Sequence, residues 1–253
     1  MCGPVLKTQR MKRWLGLLIL APALARATEE GFSLIRCNEV FAQVVRGFTE
    51  DAEMRRFAAH AQTALRRAGV ITQSEAPFSI LALGIGHSAE GLYLAYNLAM
   101  RGLSEVRIDH FDINGFAVQM SQQHAQGVAA KVPLPANYQL HFHHRDAAHP
   151  DSYVDLPRRY RLVIIRRPNV LEMGQWSPTG RPQWRDMIHR GLERLENSDL
   201  LLMTFYLNHE RNAVIRFLQE SEITEHYSWE LLNLQDNGEG FDHVGLLIGR
   251  APQ

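Results

Sequence analysis

The sequence predicts a three-layer, doubly wound α/β fold. Its sheet is seven-stranded and mostly parallel, with an antiparallel C-terminal strand, and a helical appendage precedes it. Three observations carry this. Short apolar runs alternate with segments of helical period from Phe78 onward. A glycine-rich turn joins the first run to the first helix of that series, FSILALGIGHSAEG. The last two apolar runs, Tyr227 to Leu234 and His243 to Gly249, have only a turn between them, so they should pair antiparallel.

The elements follow in order. Thr28 to Gly69 lacks proline and reads as helical. Val40, Phe41, Val44, Val45 and Phe48 form one apolar stripe, and Met54, Phe57, Ala58, Ala61 and Leu65 form another. Ser74-Glu75-Ala76-Pro77 is a linker. Ile80 to Leu83 is a strand buried on both faces, and Leu92, Ala95, Leu98 and Ala99 mark a helix. Val106 to Phe111 is a second strand ending at Asp112, followed by a helix carrying Phe116, Met120, His124 and Val128. Pro133 and Pro135 end that helix, and Tyr138 to His143 is a third strand. Tyr160 to Ile165 is a fourth strand, Gln183 to Leu195 a helix, Leu200 to Tyr206 a fifth strand and Glu210 to Glu220 a helix. The final hairpin turns at Asn237-Gly238-Glu239-Gly240. The divisions expected are residues 1–27 as a signal-like or anchor segment, 28–77 as a helical region and 78–253 as the α/β domain.

At 253 residues, the chain suits one such domain with a short appendage. Its formal net charge is zero, which argues against a broad nucleic-acid surface while leaving room for a local basic patch. Lysine occurs only at positions 7, 12 and 131, so arginine supplies nearly all positive charge. Cys2 and Cys37 are the only cysteines, and there is no CxxC or zinc-ligand set. Met11-Lys12-Arg13-Trp14, the apolar Leu15 to Leu20 and Ala25-Arg26-Ala27 have the layout of a secretory signal peptide. If that segment is real, the protein is exported or membrane-attached, and membrane contact runs only through it; otherwise the protein is cytoplasmic.

Gly84, Gly86 and Ala89 fall in a G-x-G-x-x-A spacing between a strand and a helix. Glycines there turn the chain tightly and let the backbone approach a ligand, and the helix N-terminus offers unpaired N–H groups. Ligands in such sheets bind at the carboxyl ends of the strands. Asp112 follows the second strand, where a carboxylate can accept from ribose hydroxyls, and Asp146 follows the third, where it can accept from an exocyclic amine. Either acid also suits a helix cap.

On LALGIGHSAEG, HFDIN, HHRDA, YRLVIIRRPNVL and the terminal hairpin, the stretch from Phe78 to Arg250 resembles the class I S-adenosylmethionine-dependent methyltransferases. The resemblance implies S-adenosylmethionine as cofactor. It places Gly84 and Gly86 near the methionine part, Asp112 at the ribose and Asp146 with Ala147 at the adenine, with Ile113 also in the cofactor pocket. The chain departs from the family in lacking an acid near the first glycine, since Ala82 and Leu83 stand there. Ser88-Ala89-Glu90-Gly91-Leu92-Tyr93 and Arg167-Pro168-Asn169-Val170-Leu171 are similar to segments of the chemotaxis-receptor (protein-glutamate) methyltransferases. That similarity nominates Glu90 and Arg166 for the cofactor pocket and Asn169 for the substrate.

Methyl transfer needs in-line alignment and sometimes removal of a proton. His87, Tyr206 and His209 are the catalytic candidates, and Glu210 joins Asn169 as a substrate candidate. The acceptor is a small molecule or a protein side chain; the fourth strand lacks the Asn/Asp-Pro-Pro-Tyr run of amino-methylating nucleic-acid enzymes. A non-catalytic binding domain of the same fold is the main alternative, supported by the altered glycine motif and the export-like N-terminus. An NAD(P)-dependent oxidoreductase also fits G-x-G-x-x-A, but there is no Tyr-x-x-x-Lys pair. His141, His143 and His144 lie on one strand without a carboxylate ligand set in the sequence around them, so no metal is assigned.

Overall fold

The computed structural model describes residues 36–69, 77–84, 89–168, 170, 183–196, 199–221, 225–234 and 242–250. The signal-like segment, the 74–77 linker except Pro77, and the turn at 237–240 lie outside them.

Helix α1 covers residues 36–48 and α2 Ala52–Arg67. The single helical stretch expected from Thr28 to Gly69 is thus interrupted, because Asp51 starts a new helix. Its extended backbone turns the chain and its carboxylate accepts from the N–H groups of Glu53 and Met54. Strands and helices then alternate as β1 Phe78–Leu83, α3 Glu90–Met100, β2 Val106–Asp112, α4 Gly115–Lys131 and β3 Tyr138–His144. A 3₁₀ turn, Pro150–Tyr153, leads to β4 Leu162–Arg166, α5 Gln183–Leu192, β5 Leu200–Phe205, α6 Asn208–Glu220, β6 Tyr227–Asn233 and β7 Val244–Arg250. Helix α5 stops short of the expected Leu195, since Arg194 and Leu195 bond three residues back to Gly191 and Leu192 and so tighten the last turn. Strand β4 begins two residues later than expected, because the Tyr160 N–H is taken by the Arg194 carbonyl.

The sheet order is β3-β2-β1-β4-β5-β7-β6. All pairs from β3 to β5 are parallel, and β7 runs antiparallel to both β5 and β6. The predicted fold class, with its antiparallel C-terminal strand, is observed. Central strands alternate between two cores, as the two-residue period requires. Leu162 and Ile164 of β4 face a core built with α2 and α3, including Phe57, Ala61, Leu65, Leu94 and Leu98. Val163 and Ile165 face a second core with Trp184, Met187 and Ile188 of α5 and Val214 and Leu218 of α6. Helix α2 therefore packs into the main core rather than beside it. A third cluster, Phe41, Tyr96 and Ala125, joins α1 to α3 and α4.

One glycine of the turn motif is explained by packing alone. A Cβ on Gly91, in the first turn of α3, would lie 1.6 Å from Nε2 of His110 on β2. The bare backbone lets helix and strand close over that ring. His110 is fully enclosed, stacked on Phe142 with centroids 4.5 Å apart and bonded through Nδ1 to the His141 carbonyl at 3.1 Å. Desolvation pushes its pKa down to about 4, so it is neutral in the fold.

Candidate functional site

The carboxyl ends of β1, β2, β3 and β4 lie side by side, with Leu83 paired to Phe111 and to Ile165, and Asp112 to His144. At the end of β1, Gly84 adopts φ +66°, a left-handed conformation that side chains resist, and its N–H bonds to the Phe111 carbonyl at 2.9 Å. Residues 85–88 lie outside the described residues, and Gly86 and His87 with them.

Asp112 ends β2 half-buried. Its Oδ1 accepts from the Asn114 N–H at 2.7 Å, and Asn114 in turn caps α4 through Phe116 and Ala117. The aspartate is thus held by the loop while staying at the strand end. Ile113 beside it is 59% exposed, and Phe116 and Met120 continue an apolar surface row along α4. After β3, Asp146 accepts from the Ala148 N–H at 2.9 Å, and the buried Tyr153 hydroxyl donates to the Ala147 carbonyl at 2.7 Å. Both sequence-nominated acids therefore stand at neighbouring strand ends in loops fixed by their own hydrogen bonds.

At the end of β4 the structure assembles a charged cluster that the sequence did not reveal as a unit. Arg166 bonds Asp242 at 2.8 Å, pairs with Glu90 at the start of α3, and lies 3.7 Å from Glu53 at the start of α2. Arg167 bonds the same Asp242 at 2.6 Å, pairs with Glu53 and stacks over the Tyr206 ring at 4.9 Å. Asp242 is fully buried at the entry to β7, and His60 of α2 donates from Nε2 to its carbonyl at 2.9 Å. Burial alone would raise the Asp242 carboxyl; the bonds and charges of Arg167 and Arg166 override that and hold it below the usual range. Burial likewise lowers His60 and keeps it neutral. Arg167 and Asp242, with φ of 52° and 64°, are the non-glycine residues with positive φ among the described residues, and they bond each other. Strain of this kind persists only where surroundings over-determine it, and it gathers at functional sites.

The nominated residues divide accordingly. Gly84, Asp112, Ile113, Asp146 and Ala147 come to the first three strand ends. Glu90 and Arg166 share one ion pair, with Tyr206 close by through Arg167. His209 is exposed in the first turn of α6. Glu210 is buried, and its carboxylate accepts a helix-capping bond from the Leu207 N–H at 3.0 Å. Asn169 lies outside the described residues. On β3, His141 and His143 share one face and His144 the other: His143 Nε2 donates to Asp109 at 2.9 Å and His144 Nε2 to the Ile113 carbonyl at 2.9 Å. Glu53, His60, Arg167 and Asp242 were missed. The Arg166-Arg167 pair after an apolar strand was visible, but its partner Asp242 lies 75 residues beyond Arg167.

No protein-family model matches the chain, and no curated protein matches it. Solved structures do. A putative rRNA methylase from Clostridium thermocellum aligns with a TM-score of 0.51 at 14% identity, covering 76% of this chain and 96% of its own. The S-adenosylmethionine-dependent O-methyltransferase of Thermotoga maritima gives 0.51 at 10% identity, over 78% and 66%. Human methyltransferase-like protein 13, solved with S-adenosylhomocysteine, gives 0.51 at 12% identity, over 80% and 84%. With the observed strand order and antiparallel β7, these likenesses show that the chain has the class I S-adenosylmethionine-dependent methyltransferase fold.

Proposed function

We propose that the protein is an S-adenosylmethionine-dependent methyltransferase acting on a small molecule or a protein side chain. The observation that carries this is the alignment, at adjacent strand ends, of left-handed Gly84 with Asp112 and Asp146. The residues suit the cofactor chemically. Gly84 leaves backbone uncovered, Asp112 presents an acceptor for ribose hydroxyls, exposed Ile113 offers an apolar surface for the adenine, and Asp146 an acceptor for its amine. Bound there, the cofactor supplies an already electrophilic sulfonium methyl group. The chain's task is to hold donor and acceptor in line and exclude water. Arg166, fixed by Glu90 and Asp242, positions the rim of that site, and Tyr206, stacked under Arg167, forms its wall on the β5 side.

Replacing Asp112 by Ala removes charge-assisted bonds worth about 1.5–3 kcal/mol and should weaken S-adenosylhomocysteine binding roughly ten- to hundredfold by calorimetry. Equal binding by variant and wild type would move the ribose elsewhere. A second reading, a non-catalytic binding domain of this fold, is favoured by Ala82 and Leu83 standing where the family carries an acid, and by Glu90 being engaged with Arg166. Failure of the wild-type protein to bind S-adenosylhomocysteine would select it.

A further inference from the structure

At the opposite, amino-terminal ends of the strands lies a cleft of about 420 Å³ lined by Arg158, Arg159, Arg194, Arg250, Glu193 and Glu196. A second hollow, bordered by Arg159, Arg161 and Asp199, shares Arg159 and Glu196 with it. Three loops meet there: the entry to β4, the α5–β5 connection and the end of β7.

The local charges do not cancel. Glu193 is neutralised on its own helix end by Arg190 at 2.8 Å and His189 at 3.2 Å. Glu196 pairs with Arg159, and Asp199 with Arg161 at 3.2 Å. Arg158, Arg194 and Arg250 make no ion pair with a carboxylate among the described residues. Arg194 donates to the Pro157 carbonyl at 3.3 Å and lies over the Tyr153 ring, Arg250 lies over the Tyr227 ring, and Arg158 is exposed. Arg194 and Arg250 are thus oriented by carbonyl and aromatic contacts rather than by an ion pair, with Asp199 within reach of the Arg250 charge. Planar guanidinium forks facing one cleft match the tetrahedral oxygens of a phosphate group.

We infer that this cleft is a binding site for a small phosphorylated anion, separate from the methyl-donor site. Its dimensions and its carboxylate rim select the class. An extended nucleic-acid backbone needs a continuous basic track, whereas here Glu193 and Glu196 flank the arginines and the chain carries no net charge. A compact anion needs only the guanidiniums of Arg158, Arg194 and Arg250, which make no ion pair among the described residues.

Inorganic pyrophosphate is the probe. Calorimetry on the full chain at low ionic strength should show saturable binding that weakens with added salt. Arg158→Glu combined with Arg250→Gln should lower that affinity at least about tenfold, while S-adenosylhomocysteine binding stays as in wild type. Arg158→Ala alone, at an exposed side chain with no ion pair among the described residues, should leave the fold intact and give a smaller loss in the same direction. Absence of pyrophosphate binding by the wild type, or equal binding by the double variant, overturns the site. So does tighter binding of single-stranded RNA than of pyrophosphate, lost in the same double variant, because the patch would then read a polymer. Vesicles of phosphatidic acid, set against phosphatidylcholine, separate the remaining sources: retention by the former assigns the phosphate to a lipid headgroup, and no retention to a free anion.

Discussion

Asp109 and Asp242 are both fully buried, and both are closed by arginine, yet they sit in different kinds of structure. Asp109 is inside β2 with ordinary strand geometry. It accepts from Arg107 at 2.7 Å, His143 at 2.9 Å and Tyr160 at 2.9 Å. Burial alone would raise its carboxyl, but those three donors hold it well below the usual carboxylate range. Two of them, Arg107 and His143, come from the ladder itself, two residues along β2 and on the neighbouring β3. Asp242 instead lies on a left-handed backbone before β7, and its arginines come from the far end of β4. The first carboxylate fastens neighbouring strands. The second draws β4, β7 and, through Glu53 and Glu90, the first turns of α2 and α3 to one point at the candidate site. What separates them is the strain: two left-handed residues tolerated at the rim, none in the strand.

The largest expected effect is at the rim. Asp242→Ala removes the acid that two guanidiniums, each about 15% exposed, share, and leaves them to Glu53 and Glu90. Several charge-assisted bonds, each worth about 1.5–3 kcal/mol, are lost together, read as a fall in the denaturant midpoint at constant slope. Destabilisation no greater than that of Asp109→Ala would show that the rim cluster is as well solvated as the strand cluster.

Acid should attack the strand region first. His110, next to Asp109, is neutral in the fold at a pKa of about 4 and takes up a proton near 6.5 when unfolded. A depressed folded pKa means that the contribution is complete above pH 6.5 and is lost as pH falls toward 4. The loss amounts to about 3 kcal/mol at the lower end. Both aspartates are held below their ordinary values and remain charged through that window. Thermal melts from pH 7 to pH 4.5 should fall steadily, and His110→Phe should flatten the profile; an unchanged slope in that variant would remove His110 from the account.

The smallest effect is expected for Asp109→Ala, at about 1.5–3 kcal/mol, because Arg107 is 30% exposed and can turn to water once its partner is gone. Hydrogen exchange of β2 and β3 amides should rise while the β4 and β7 amides stay protected. Uniform loss of protection would erase the distinction between the two carboxylates.

Sequence alone determined the layered sheet, the antiparallel close and the strand-end acids, because each follows from short-range pattern. Two-residue alternation fixes strand faces, and a strand without a following helix has little choice but a hairpin. Asp112 and Asp146 were legible for the same reason: a strand end is a local feature. The interruption at Asp51 was also local, but two continuous apolar stripes hid it. Gly91 looked like part of a ligand loop, and only the packing of His110 against α3 shows that its missing Cβ makes room for a ring. The Arg166–Arg167–Asp242–Glu53–Glu90 cluster was decided by tertiary structure, as was the arginine cleft at the other end of the sheet. Their members come from strand ends and loops far apart in the chain, and charge carries no periodicity to announce its partner. Only the closing of the sheet sets which charges meet.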